Sequence, residues 1–194
     1  MGIIDGTLRQ MCRPKYYQKQ TYSGHKRAHG LKYQAVVTPD GFIACLHGPI
    51  NGNRHDSYML RESNLLTDLR AMLPHENGIL YRLYGDPAYP NSPYIIGRFR
   101  HARPGTNEAA WNTNMSKVRE VVEWGFKDII QQWAFVDFKV AMKMYKMDVA
   151  KYYKVAAFLT NLRNCFYGSE ASSYFGCNPM SLNSYLNLPG NGEA

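Results

Sequence analysis

The chain has 194 residues, with 23 Lys and Arg against 15 Asp and Glu, a formal net charge of +8 and a sequence pI near 9.3. Hydrophobic residues make up 45% and charged residues 20%, a balance that excludes a disordered chain and fits one folded domain. No apolar run approaches the roughly 20 residues that cross a bilayer, and the positive charge favours a polyanionic partner, nucleic acid first and acidic membrane surfaces second.

Met1-Gly2-Ile3-Ile4 runs straight into Asp5-Gly6, which predicts a strand entered part-way, closed by an Asp-Gly turn, and a chain that is a fragment of a longer one. A basic, Tyr-rich stretch follows, holding Arg9, Arg13, Lys15, Lys19, His25, Lys26, Arg27 and Lys32. Two β-branched and aromatic runs, Leu31 to Thr38 and Phe42 to His47, flank Pro39-Asp40-Gly41 and predict a hairpin. After a Gly/Asn/Pro loop, residues Tyr58 to Leu73 carry Leu and Met at helical spacing, with Asp56 or Ser57 as N-cap.

Ile79 to Tyr84 reads as a buried strand stopped by Gly85-Asp86-Pro87, which leaves Asp86 at the strand's C-terminal end, where ligands of α/β sheets gather. A loop with a second basic group, Arg98, Arg100, His101 and Arg103, precedes the longest helical pattern, Glu108 to Trp133. There Val118, Val122, Phe126 and Ile129/Ile130 share one face. A further helix is expected over Met142 to Tyr167, and residues 169–194 read as a weakly ordered tail in which Tyr174-Phe175 docks locally. The four cysteines, Cys12, Cys45, Cys165 and Cys177, lack the close spacings of zinc or thiol-redox motifs. With no signal peptide in view, they read as reduced thiols of an intracellular protein.

Four acids stand in distinctive settings: Asp5, Asp56 in Arg-His-Asp-Ser, Asp86, and Glu123 in Val-Val-Glu-Trp-Gly-Phe. If the strands before Asp5 and Asp86 pair in parallel, both carboxylates leave the same sheet edge, a donor pair suited to Mg²⁺ or Mn²⁺. Glu123 falls on the apolar side of its helix one turn after Arg119, so it needs a metal or that arginine as partner; Glu120 is the competing acid. Each motif alone also fits a local turn, a cap or an ion pair. The order of strand, strand and helix acids is what favours a metal site.

At these residues the sequence resembles the DDE endonuclease domain of PIF/Harbinger-type transposases and their domesticated relatives. The matching motifs are Ile-Asp-Gly-Thr at the start, Tyr22 to Arg27, Val36 to Ile43, Gly48 to Ser57, Gly85 to Pro90 and Arg119 to Phe126, and the likeness spans most of Ile3 to Tyr167. It departs at Phe126-Lys127, where the family has Phe-Gly, and the family's N-terminal helix-turn-helix-like region has no counterpart in these residues.

The resemblance implies an α/β, RNase H-like fold, a mixed β-sheet flanked by helices, over residues 1–168. It also implies a DDE triad of Asp5, Asp86 and Glu123, with Asp56 at or near the metal site. In that reading two divalent ions, Mg²⁺ or Mn²⁺, lie about 3.5–4 Å apart between the carboxylates, one activating water and the other stabilising the leaving 3′ oxygen. The freed 3′-OH then attacks a target strand. Lys15, Lys19, Lys26, Arg27, Arg98 and Arg100 would grip the DNA backbone. A nuclear location, a separate Myb-like DNA-binding partner and a homo-oligomer follow from the same likeness. Two rivals stay open: a domesticated, non-cutting DNA-binding or scaffold protein, and a metal-dependent phosphoesterase of small substrates.

Overall fold

A computed structural model of the protein describes residues 2–72, 81–137 and 142–187. Strand β1 (Gly2–Gln10) is the spine of the fold. Side chains alternate across a strand, and β1 is buried on both faces: Ile3 joins one apolar cluster and Ile4 the other. The expected turn at Asp5-Gly6 does not form, because β1 pairs with β3 over eight consecutive residue pairs, from Ile3–Val37 to Gln10–Gly30. That ladder outweighs the local turn preference of Asp-Gly, so Asp5 lies inside the strand and not at its end.

A short helix α1 (Gln18–Thr21) and strand β2 (Tyr22–Ser23) lead into β3 (Ala28–Val37), which turns through Pro39-Asp40-Gly41 into β4 (Ile43–Asn51). Gly41 takes the left-handed φ of 84°, and its Cβ position is filled by the Ser169 side chain, so both the turn and the close approach need glycine. The expected helix over residues 58–73 is two helices, α2 (Asp56–Glu62) and α3 (Leu65–Met72). Asn64 breaks the pattern with a left-handed φ of 53°, a conformation Asn tolerates. Leu73 lies outside the described residues.

Strand β5 (Leu83–Gly85) runs parallel to β1, and β6 (Ile95–Ile96) parallel to β5. Of the expected strand, Tyr81 and Arg82 lie outside β5 and are exposed, and Ile79 and Leu80 are outside the described residues. The sheet is mixed, in the order β2-β3-β1-β5-β6 with β4 also paired to β3.

Helix α4 (Asn107–Gln132) is capped by Thr106, whose hydroxyl accepts from Ala109 N. Its buried face, Val121, Val122, Phe126 and Ile129, packs on the Ile3 side of the sheet. Helix α5 (Val149–Tyr167) starts later than expected. Left-handed residues Met142 and Tyr145 interrupt the preceding segment, and Asp148 caps the helix by accepting from Lys151 N at 3.0 Å. Two short helices follow, α6 (Glu170–Phe175) with a Ser169–Ser172 capping box and α7 (Leu182–Tyr185). Ala171 sits in the core and Phe175 packs against it; residues 188–194 of the expected tail lie outside the described residues. Helices α2 and α3 cover the opposite, Ile4 face through Leu60, Leu65 and Leu69. Among the described residues no helix is long and apolar enough to cross a membrane.

Candidate active site

The parallel pairing of β1 with β5 sets Ile4 opposite Gly85, so the residues that follow are Asp5, within β1, and Asp86, directly after β5. Asp86 lies just past the end of β5, as expected, and spends one oxygen locally: its Oδ1 accepts from Ala88 N at 2.8 Å. Asp5 is only 9% exposed, and its Oδ1 accepts from the adjacent Gly6 N at 2.8 Å. Burial, with the charges of Asp86 and Asp56 adding to it against Arg119, pushes the Asp5 carboxyl up to about 6.

Helix α4 supplies the next two groups. Arg119 places one guanidinium nitrogen 3.7 Å from Asp5 Oδ2 and the other 3.7 Å from Glu123 Oε1, so it bridges strand and helix. The expectation that Glu123 is buried among apolar neighbours is corrected: its side chain is 58% exposed. Val122 and Phe126 turn to the core beside it, and Glu123 faces the cavity at the sheet edge, so hydration and Arg119 satisfy its charge without a buried partner. Glu120 is also exposed but does not line that cavity.

Asp56 approaches from the other face of β1. A Cβ built on Gly6 would meet Asp56 Oδ1 at 2.8 Å and Met59 Cε at 2.9 Å. Gly6 therefore leaves room for α2 to sit directly over the strand, and side-chain alternation sends Asp5 to the opposite side. The expected capping role for Asp56 is not what forms. His55 holds the N-cap position without a side-chain bond, and the Asp56 carboxylate instead accepts a hydrogen bond from Lys32 Nζ at 2.9 Å.

A cavity of about 760 Å³ is lined by Asp5, Asp56, Asp86 and Glu123 together with Lys26, Lys32 and Arg119. A second, about 590 Å³, shares Asp5, Lys26 and Glu123 with it and continues along β1 to Gln10 beside Lys127. Of the cations expected to hold DNA, Lys26 reaches the acids. Arg98 and Arg100 line a separate cavity with Arg82, and Lys15, Lys19 and Arg27 are exposed elsewhere. Among the described residues no three acids, histidines or cysteines are grouped to hold a metal ion as they stand.

The chemistry of the donors nevertheless suits a hard cation. Asp5 is a buried carboxylate raised by its acidic neighbours Asp86 and Asp56 and offset by Arg119 at 3.7 Å, and clustered carboxylate oxygens of this kind are the donors that hard divalent cations take.

A protein-family model described as a DDE superfamily endonuclease matches residues 4–161. The chain belongs to this family. Comparison with curated proteins and with solved structures gives no significant match.

Sequence reasoning gave no role to one buried residue behind the candidate site, close in the chain to Asp86. Tyr89 is 2% exposed, and its ring packs over Gly85. Among the described residues its buried hydroxyl has no hydrogen-bond partner, and burial, with Asp56, Asp5 and Asp86 contributing, holds it far above the ordinary tyrosine range. Tyr89→Phe removes a buried, unbonded polar atom whose burial costs about 1–3 kcal/mol. It is expected to raise Tm by about 2 °C or more for a chain of this size. A fall of similar size in a thermal melt of the metal-free protein would contradict that account of the hydroxyl.

Proposed function

We propose that this DDE endonuclease domain cuts DNA phosphodiesters with divalent metal ions, Mg²⁺ or Mn²⁺, held by Asp5, Asp86 and Glu123. We read it as transposase-type, PIF/Harbinger-like, on an RNase H-like sheet. The observation that carries this is the convergence of acids from β1, β5 and α4 on one cavity, within a chain of this family. Bound there, divalent cations would supply Lewis-acid activation of water and stabilisation of the leaving 3′ oxygen.

The chain's own residues do the rest. Arg119, 3.7 Å from both Asp5 and Glu123, balances their charge before metal enters. At 35% exposed it is free to swing to a substrate phosphate. Lys26, on the shared wall of both cavities, attracts the DNA backbone, an attraction that weakens as salt rises. Asp56 keeps Lys32 at the edge of the cavity, where the ammonium also faces phosphate. The resemblance adds a nuclear location, a Myb-like partner and strand transfer by the freed 3′-OH to the same reading.

The rival reading, a domesticated DNA-binding protein that no longer cuts, draws on the lack of a grouped metal site among the described residues. Nicking of supercoiled plasmid in Mg²⁺ or Mn²⁺ separates the two. Cleavage by the wild type is expected, with loss in EDTA and a fall of at least about a hundredfold in Asp86→Ala and Glu123→Gln. Even outer-shell partners of a metal contribute 10–100-fold. DNA binding without cleavage, indifferent to Asp86→Ala, supports the rival.

A further inference from the structure

Beyond the end of β1 the chain forms a further concave site that none of Asp5, Asp56, Asp86 and Glu123 lines. Its volume is about 540 Å³. One wall is Arg13, Lys15 and Tyr16; the other is Lys143, Tyr145 and Lys146, and among the described residues no acid lines it. The two walls are pinned at their base, where Cys12 N donates to Met142 O at 3.1 Å and the Met142 side chain is fully buried.

Three features point to one ligand chemistry. Arg13, Lys15, Lys143 and Lys146 are all exposed, and among the described residues none of the four is ion-paired to a carboxylate; Arg13 bonds only the neutral Gln18 amide, at 2.8 and 3.1 Å. No carboxylate among the described residues offsets their charge, and Lys15 Nζ lies over the Tyr16 ring, 5.3 Å from its centroid. Tyr16 and Tyr145 meet edge to face at 6.0 Å while remaining 56% and 59% exposed, although aromatic rings of that size normally bury their faces. Tyr145 is held outward by a left-handed backbone, φ 68°. Cations on both walls around exposed ring faces match the needs of an unpaired nucleotide, with phosphates between the walls and a base stacked on tyrosine.

We infer that this cleft binds an unpaired segment of a DNA strand, at a site separate from the carboxylate cavity. The groove along β1 runs from Asp5 to Gln10, and Cys12, two residues on in the chain, is the first residue of the cleft. From Asp5 to Gln10 the strand rises about 17 Å at roughly 3.3 Å per residue, room for about five nucleotide steps at about 3.4 Å each. The inference rests on DNA being the substrate but not on cleavage.

The test is fluorescence anisotropy of the full chain in EDTA, where no cutting occurs, with a blunt duplex and the same duplex carrying a single-stranded tail. The tailed DNA is expected to bind more tightly. Tyr16→Ala should weaken tailed DNA by roughly tenfold or more and leave blunt duplex unchanged. Lys143→Ala with Lys146→Ala should reduce the dependence of log affinity on log salt by about 1.4 for two lost single-strand phosphate contacts. Equal binding of both DNAs, or variants that bind tailed DNA as the wild type does, would overturn the cleft assignment. Failure of the nuclease reading shows separately, as absent nicking with this binding pattern intact.

Discussion

Asp5→Asn is expected to abolish nicking and at the same time to stabilise the metal-free protein at neutral pH. Asp5 is buried, and its carboxyl is raised from 3.8 to about 6. The folded state therefore takes up the proton before the unfolded state as pH falls. Stability from this group is greatest below about pH 4, is lost as pH rises through about 6, and stays lost above it. The two-unit gap corresponds to about 3 kcal/mol at most. Asn removes the buried charge, keeps an oxygen for Gly6 N and gives up the 3.7 Å attraction of Arg119, so a net gain of about 1–2 kcal/mol at pH 7.5 is expected. Thermal melts in EDTA check this: the variant should melt higher than the wild type at pH 7.5, and the gap should close at pH 4.5. A variant less stable than the wild type at both pH values contradicts the charge argument. The same proton competes with a cation, so divalent-metal affinity should rise with pH through about 6.

Asn161→Leu is expected to destabilise the fold more than any surface change, although it lies far from the acids in sequence. The Asn161 amide closes both polar groups of Ile43: its Oδ1 accepts from Ile43 N at 2.9 Å and its Nδ2 donates to Ile43 O at 3.0 Å and to the Tyr185 hydroxyl. Leucine has similar bulk and leaves two buried backbone groups unbonded, a loss of about 2–5 kcal/mol. One turn on, Asn164 Nδ2 donates to Gly41 O in the same turn between β3 and β4, so α5 holds the hairpin by amides as well as by packing. A urea titration should show a lower midpoint with an unchanged slope; a shift under about 0.5 kcal/mol contradicts the role.

The site was legible where periodicity and local chemistry agree. The apolar run ending at Gly85-Asp86 set Asp86 at a strand end, and the structure brings Asp86 and Glu123 to one cavity with Asp5. Where a long-range ladder overrode a local signal, the sequence misled. Asp5-Gly6 has the composition of a turn, but the partner that keeps it extended, Ala35-Gln34, lies about thirty residues away. Burial at Glu123 was misjudged because helical phase fixes a face only to within a residue or so; the side chain sits on the boundary between core and cavity. The Lys32–Asp56 pair and the buried Tyr89 hydroxyl depend on which faces of β1 and β5 the flanking groups cover, information that arises only when the sheet is assembled. Tyr16 and Tyr145 illustrate the same limit, since the two walls of their cleft come from segments far apart in the chain.

The most direct test of the metal-dependent account is calorimetric titration of Mn²⁺ into the wild type and into Asp86→Ala at pH 7.5. The account predicts saturable binding by the wild type that is lost in Asp86→Ala, with the variant's fold intact by circular dichroism. Well-folded wild type that binds no Mn²⁺, or binds it equally with Asp86 removed, would contradict it.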